Sequence, residues 1–232
     1  MPKLNDHISQ ERCFTDGDLQ SVCKRFDWAS GGGTKRMKRL IDIVISALML
    51  VLFSPLFLVI ALLIKFTDKG PILFWQTRVG LWGHEFPLPK FRSMVADAEE
   101  LKDSLLARSH HADYITFKMK RDPRVTWIGR ITRKLSLDEL PQLWCVLSGE
   151  MSLVGPRPPL PDEVVKYTIT DQRRLSVTPG LTCIWQVSGR GDVPFNEQIL
   201  LDVQYIETQS LWLDIVLLLR TIPAVLSGSG AY

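Results

Sequence analysis

The sequence predicts a mainly α chain with a small β-hairpin, an α+β protein held at a membrane. Three observations carry this. Residues 40–64 are almost wholly apolar, and the run meets the roughly 20 residues that a helix needs to cross a bilayer. Two short extended segments flank Gly80-Leu81-Trp82-Gly83-His84, the pattern of a hairpin. Much of the remaining apolar content recurs at helical spacing, as at Leu137, Leu140, Leu143, Trp144 and Leu147.

The totals narrow the class. The chain has 232 residues, 46% hydrophobic and 23% charged, which excludes disorder throughout. A formal net charge of +3 is too small to argue for a nucleic-acid partner. The 4 cysteines, Cys13, Cys23, Cys145 and Cys183, form no CxxC pair and have no histidine at zinc-ligand spacing. That pattern suits a reduced, cytosolic setting. His110 and His111 are neighbours, so they point to different faces of a helix and read as solvated.

Taken in order, residues 1–34 form a polar tail that ends in Gly31-Gly32-Gly33. It is expected to be mobile and to hold no signal peptide. A basic cluster, Lys35-Arg36-Met37-Lys38-Arg39, opens the membrane segment, residues 35–69. Asp42, Ser46, Ser54 and Pro55 interrupt its apolar run. Pro55 removes a backbone hydrogen bond, and Ser54 can cover the carbonyl left free. Cations flank both ends, with Lys65 and Lys69 after the run. The positive-inside rule asks for both ends in the cytoplasm. A helix that breaks at Ser54-Pro55 and returns satisfies that; a kinked spanning helix is the alternative.

Residues 70–232 make up the remaining domain. The hairpin comes first, followed by Lys90-Phe91-Arg92. Residues 95–106 favour a helix, and Asp122-Pro123 is a turn. The central stretch Ser136-Leu137-Asp138-Glu139-Leu140-Pro141-Gln142 reads as the start of a helix running to Gly149. Ser136 and Glu139 have capping-box spacing. Pro156-Arg157-Pro158 is a stiff loop presenting one arginine, a plain turn or an oxyanion site. Residues 162–174 and 197–206 are expected helices. Ser188-Gly189-Arg190-Gly191 places an arginine among glycines, where backbone and guanidinium can approach a phosphate. Residues 211–219 are apolar and too short to span, so they form either a core or an interfacial helix.

A membrane segment, dispersed arginines and a lysine, and two adjacent carboxylates suggest phosphate chemistry at a lipid surface. Arginine binds phosphate through a planar fork and lysine as a point charge. A carboxylate can attack phosphorus or hold Mg2+ that shares its sphere with substrate phosphates. Neighbouring helical residues diverge by about 100°, so Asp138 and Glu139 need not share one task. Simple helix capping competes with this reading, as does a non-catalytic membrane adaptor.

The residues resemble the bacterial sugar transferases, monotopic phosphoglycosyl transferases that act on polyprenyl phosphate. The shared features are the basic cluster and apolar run, Ser54-Pro55, Arg78-Val79-Gly80, Lys90-Phe91-Arg92-Ser93-Met94 and Arg133. They continue through Ser136 to Gln142, Gly155-Pro156-Arg157-Pro158, Pro179-Gly180-Leu181-Thr182 and Trp185-Gln186-Val187-Ser188-Gly189-Arg190. The resemblance implies a re-entrant helix-break-helix turned at Ser54-Pro55, interfacial amphipathic helices, and a catalytic domain on the cytoplasmic face of the bacterial inner membrane. It implies that Asp138 attacks the β-phosphate of a UDP-sugar and releases UMP, that undecaprenyl phosphate then takes the phosphosugar, and that Glu139 holds Mg2+. Lys90, Arg92, Arg133, Arg157 and Arg190 would bind the phosphates. Residues 220–225 are especially similar to the ExoY-type branch, which loads galactose-1-phosphate in exopolysaccharide synthesis; glucose and acetamido sugars serve close relatives. A homodimer and downstream glycosyltransferases are the expected protein partners. Cys183 and Cys145 depart from the glycine and asparagine usual in the family.

Overall fold

In the computed structural model the long apolar run is one element, helix α1, Gly32–Thr67. The structure describes residues 32–67, 69–95, 97–98, 101, 122–228 and 230. The tail up to residue 31 with Cys13 and Cys23, most of the 95–106 helix, and His110-His111 lie outside the described residues.

At 1.5 Å per residue, α1 is about 54 Å long along its axis. Pro55 lies inside it and leaves the Val51 carbonyl without its usual donor; Ser54 Oγ donates to that oxygen at 2.8 Å. Only 11% of its most apolar 18-residue window is buried. A soluble core helix would be mostly covered, so α1 is long and apolar enough to cross a membrane and presents that surface outward. Leu48, Val51, Leu52 and Leu58 are exposed on one side. Asp42, Ser46, Ile60 and Ile64 are buried on the other.

The polar breaks in the run are its docking points. Asp42 accepts the Leu153 backbone N–H at 3.1 Å. Lys38 donates to the Val154 carbonyl at 3.0 Å and pairs with Asp214 at 2.6 Å. Arg39 donates to the carbonyls of Val146 and Leu147. Those carbonyls close a short helix, where a cation complements the negative end. Further along, Ile60 and Ile64 pack with Phe91 and Ile128, and Phe57 meets Phe91 edge-on.

Strands β1 (Leu73–Val79) and β2 (Glu85–Phe91) form the expected antiparallel hairpin, in register from Leu73↔Phe91 to Val79↔Glu85. A 3-10 turn at Leu81–Gly83 joins them, with Trp82 left-handed at φ 56°. Pro87 and Pro89 are tolerated because the sheet has two strands and only one ladder to maintain. Phe86 and Leu88 are buried, and the period-two alternation brings Lys90 to the same inward face.

Helix α2 (Trp127–Lys134) starts at Thr126, whose side chain accepts from the Gly129 N–H. The central stretch then departs from the expectation of one helix. Leu137–Gln142 is a 3-10 turn, and α3 follows at Leu143–Ser148. Pro141 supplies no N–H and disfavours α geometry at Leu140. Ser136 is not a cap either: it is left-handed at φ 52° and its side chain makes no capping bond.

Strand β3 (Ser152–Val154) pairs in parallel with β4 (Gly180–Thr182). Gly155 and Gly180 meet backbone to backbone, with no room for a Cβ at either. Between them lie α4 (Pro161–Val164) and a 3-10 turn, Asp171–Ser176, where one helix was expected. Thr168 and Asp171 exchange side-chain-to-backbone bonds that start the chain afresh. Helix α5 (Ile184–Ser188) and helix α6 (Phe195–Thr208) come next. Helix α7 (Leu211–Ser227) extends well past residue 219, through Pro223. It buries Asp214 and Leu217 in the core and exposes Trp212, Ile215, Leu219, Ile222 and Leu226. The main core gathers Leu143, Val146, Met151, Leu153, Tyr205 and Leu217 beneath α1.

The docking geometry makes Asp42 a test case. Asp42→Leu makes α1 more apolar yet orphans the Leu153 N–H, so stability should fall by about 1–3 kcal/mol. Thermal unfolding in lipid nanodiscs reads this; an unchanged or higher midpoint would contradict the docking role.

Candidate active site

Asp138 and Glu139 lie in the Leu137–Gln142 turn, behind left-handed Ser136. The tight turn aims the two carboxylates into different company. Glu139 is gripped by Arg157, with Nη2 to Oε1 at 2.7 Å and Nη1 to Oε2 at 3.4 Å. Lys90 Nζ reaches Oε1 at 3.3 Å. Asp138, 9% exposed, has Lys90 and Arg133 as its nearest cationic influences.

The environments drive the two acids apart. Burial pushes Asp138 up, and the charge of Glu139 adds to it, so its carboxyl stands at about 6. Glu139 is also penalised by burial, but Arg157 and then Lys90 outweigh that and hold it far below the usual carboxylate range. Burial brings Lys90 down to about 8 against the opposing pull of Glu139. Glu139 is therefore a fixed anion, whereas Asp138 and Lys90 titrate on either side of neutrality.

The other cations arrive from separate elements. Arg133, in the last turn of α2, donates through Nε to Ser93 Oγ at 2.8 Å. Arg190, left-handed at φ 54°, donates through Nη2 to Ser136 Oγ at 3.1 Å. Its Nη1 has no hydrogen-bond partner among the described residues, leaving donor capacity for an anion. Arg92 sits apart. It lies with Ile64, Thr67, Met94, Thr126 and Ile128 around a small hollow, beside the last turn of α1, and fills the space next to Gly70. Ser54 and Pro55 lie on the exposed side of α1.

Two groups had no role in the sequence reading. Arg78 donates to the Pro158 carbonyl at 3.0 Å and to Gln76 at 2.8 Å. Its charge acts on Arg157, whose influence, after burial, helps bring Arg78 down to about 10. Behind the Arg157 loop, Arg174 pairs with fully buried Asp202 at 2.6 Å. Arg174 also donates to Tyr167 Oη at 2.6 Å and to the Arg157 carbonyl at 3.4 Å. Arg78 belongs to a quoted motif without an assigned role, whereas Arg174 and Asp202 are far apart in sequence and belong to no motif.

The donor set suits Mg2+ only in company. Among the described residues no group of three or more His, Cys, Asp or Glu side chains converges. Glu139, held ionised, would serve as one ligand to an ion whose remaining ligands are water and substrate phosphates. Arg157 and Lys90 would then turn from Glu139 to those phosphates.

Comparison with known proteins follows the same lines. The family model described as bacterial sugar transferase matches residues 33–228. Galactosyl transferase CpsE of Streptococcus agalactiae serotype III (strain NEM316) is 51% identical over 165 residues, 71% of this chain and 36% of that protein. Exopolysaccharide production protein ExoY of Rhizobium meliloti (strain 1021) is 42% identical over 198 residues, 84% of this chain and 88% of that protein. Undecaprenyl-phosphate galactose phosphotransferase of Salmonella typhimurium (strain LT2) is 46% identical over 200 residues, 84% of this chain and 42% of that protein. The chain thus spans well under half of two of these relatives and most of ExoY.

The Arg174–Asp202 pair gives a direct test of the scaffold. Asp202→Asn leaves a buried guanidinium without its counter-charge, which should cost about 3–5 kcal/mol. Thermal unfolding measures the loss, and a change under 1 kcal/mol, small by the same comparison, would show the pair to be dispensable.

Proposed function

The chain belongs to the bacterial sugar transferase family, and from that premise we propose that it is a phosphoglycosyl transferase acting on undecaprenyl phosphate. Its substrate is a UDP-sugar, with galactose-1-phosphate the group transferred. The observation that carries the reading is the division between the two carboxylates, Glu139 clamped by Arg157 at 2.7 Å and Lys90 at 3.3 Å, and Asp138 buried beside it.

A carboxylate oxygen of Asp138 attacks the β-phosphorus of the UDP-sugar. The bond from that phosphorus to the bridging oxygen breaks, and UMP leaves with the oxygen and its electron pair. An acyl phosphate, the phosphosugar on Asp138, remains. An oxygen of undecaprenyl phosphate then attacks the same phosphorus, and the bond to Asp138 breaks. The carboxylate is regenerated and the lipid leaves as a diphosphate sugar. No proton need be supplied in either step if the acceptor phosphate is fully ionised.

Lys90, Arg133, Arg157 and Arg190 neutralise the phosphates and hold them in line with Asp138. Each of these roles is electrostatic, since phosphoryl transfer asks mainly for positioning and charge stabilisation. Glu139 would hold Mg2+, which when bound supplies further charge on the phosphate oxygens. Arg92 stands away from this cluster, so its contribution is to the end of α1.

The outward apolar side of α1 and the apolar stripe of α7 support placement at a membrane, with the stripe lying in the interface. Cations at both ends of α1 favour a re-entrant path that turns at Ser54-Pro55 and keeps the domain on the cytoplasmic face of the inner membrane. Both halves of α1 pack against the same domain, as a returning helix would.

UDP-galactose, UDP-glucose and acetamido-sugar nucleotides, each offered with undecaprenyl phosphate, test the reading. UMP should be released most readily from UDP-galactose, and Asp138→Asn should lower the rate by at least about 1000-fold, the scale of losing a covalent nucleophile. Release of UDP would indicate a single displacement instead. Without lipid acceptor, mass spectrometry should find the phosphosugar on Asp138; an adduct on Glu139 would reverse the roles.

The rate should also be bell-shaped in pH. Asp138 has a raised value, so its nucleophilic form is lost as pH falls through about 6. Lys90 has a lowered value, so its charge is lost as pH rises through about 8. A flat profile from pH 5 to about 9 would contradict these assignments.

A further inference from the structure

Just past α7 the chain makes a close approach that the transfer chemistry does not explain. Gly228 is left-handed at φ 61° and its N–H donates to the Val225 carbonyl at 3.2 Å. A Cβ there would lie 2.7 Å from Lys134 Cγ and 3.2 Å from the Lys134 carbonyl oxygen. Gly230, at φ 67°, accepts the Gly191 N–H at 3.2 Å. A Cβ on Gly230 would overlap the carbonyl oxygen of Gly189 and lie 3.1 Å from Arg190 Cβ.

The two glycines therefore touch two separate loops. Lys134 leads into Ser136 and the Asp138 turn, while residues 189–191 carry Arg190. Each loop contains a non-glycine residue in the left-handed region, Ser136 at φ 52° and Arg190 at φ 54°. The two are joined by the Arg190–Ser136 hydrogen bond. Such conformations persist only where the surroundings over-determine them. A Cβ on Gly189 would lie 3.0 Å from Val193 Cγ2, and the Gly191 N–H on the far side of Arg190 is held by the Gly230 carbonyl.

We propose that Gly230 is a positioning residue for the reaction: its backbone seats the Gly189-Arg190-Gly191 loop so that Arg190 meets Ser136 and fixes the entry to the Asp138 turn. Only glycine serves there. Asparagine tolerates a positive φ, but any Cβ meets a backbone oxygen that cannot swing away as a side chain can.

This rests on the phosphosugar-transfer reading, and the experiment separates the two. Full-length wild type, Gly230→Ala, Gly230→Asn, Arg190→Ala and the Gly230→Ala/Arg190→Ala double variant are placed in lipid nanodiscs. Hydrogen exchange and UMP release from UDP-galactose are then measured. Gly230→Ala should speed amide exchange in residues 133–142 and 187–193 while α1 and α6 keep wild-type protection. It should lower turnover by about tenfold, and add nothing further in the Arg190→Ala background, since coupled sites are non-additive. Gly230→Asn should behave like Gly230→Ala, and it serves in its place if the alanine variant does not fold.

Unchanged exchange in both segments, a uniform rise across the chain, additive losses, or full rescue by Gly230→Asn would each overturn the proposal. A wild-type chain that releases no UMP from any UDP-sugar would sink the functional reading, while the exchange arm would still judge the positioning role.

Discussion

Two adjacent carboxylates, Asp138 buried and Glu139 half-buried, repel each other and lose hydration, and Arg157 and Lys90 close on one of them. The grip on Glu139 is the constraint around which the domain is arranged. Lys90 must come from the inward face of β2, and Arg157 from a loop stiffened by flanking prolines. With Glu139 held ionised, burial and that neighbouring charge leave Asp138 only partly committed to its own. Removing the grip would leave two like charges in a dry turn, each raising the other's carboxyl.

The scaffold behind that grip is polar where a simpler domain would be apolar. Arg174 holds the Arg157 carbonyl while Asp202 and Tyr167 hold Arg174. Gly155 and Gly180 let β3 and β4 approach closely enough to set the loop's origin. Buried ion pairs add little stability against apolar packing, but they demand one arrangement. Here that arrangement holds the loop from which the Arg157 guanidinium reaches Glu139.

Much of this was legible in the chain. The apolar run, the hairpin around Gly80 to His84, and the helix near residues 197–206 follow from period and turn chemistry alone. The Asp138-Glu139 pair was legible as a candidate because motifs surround it in order, though not on its own terms. The Ser136 cap failed because that residue is left-handed and its hydroxyl meets Arg190, which is distant in sequence. The single central helix failed because Pro141 won over the leucine periodicity. Arg92 was grouped with Lys90 because two cations flank one aromatic, yet the strand ends at Phe91 and Arg92 turns towards α1. Arg174, Asp202 and Gly230 had no local signature, since their meaning lies wholly in what packs on them.

The way α1 is attached has a consequence for how the protein comes into being. Its anchor is not a detachable stalk. Lys38, Arg39 and Asp42 complete backbone and carboxylate partners deep in the domain, and Ile60 and Ile64 fill a second core. Cutting the helix away to obtain a soluble enzyme would strand Asp214 beside Tyr205 and open two cores to water. The apolar helix and the domain beneath it are therefore one folding unit, since each completes a core that the other cannot close alone.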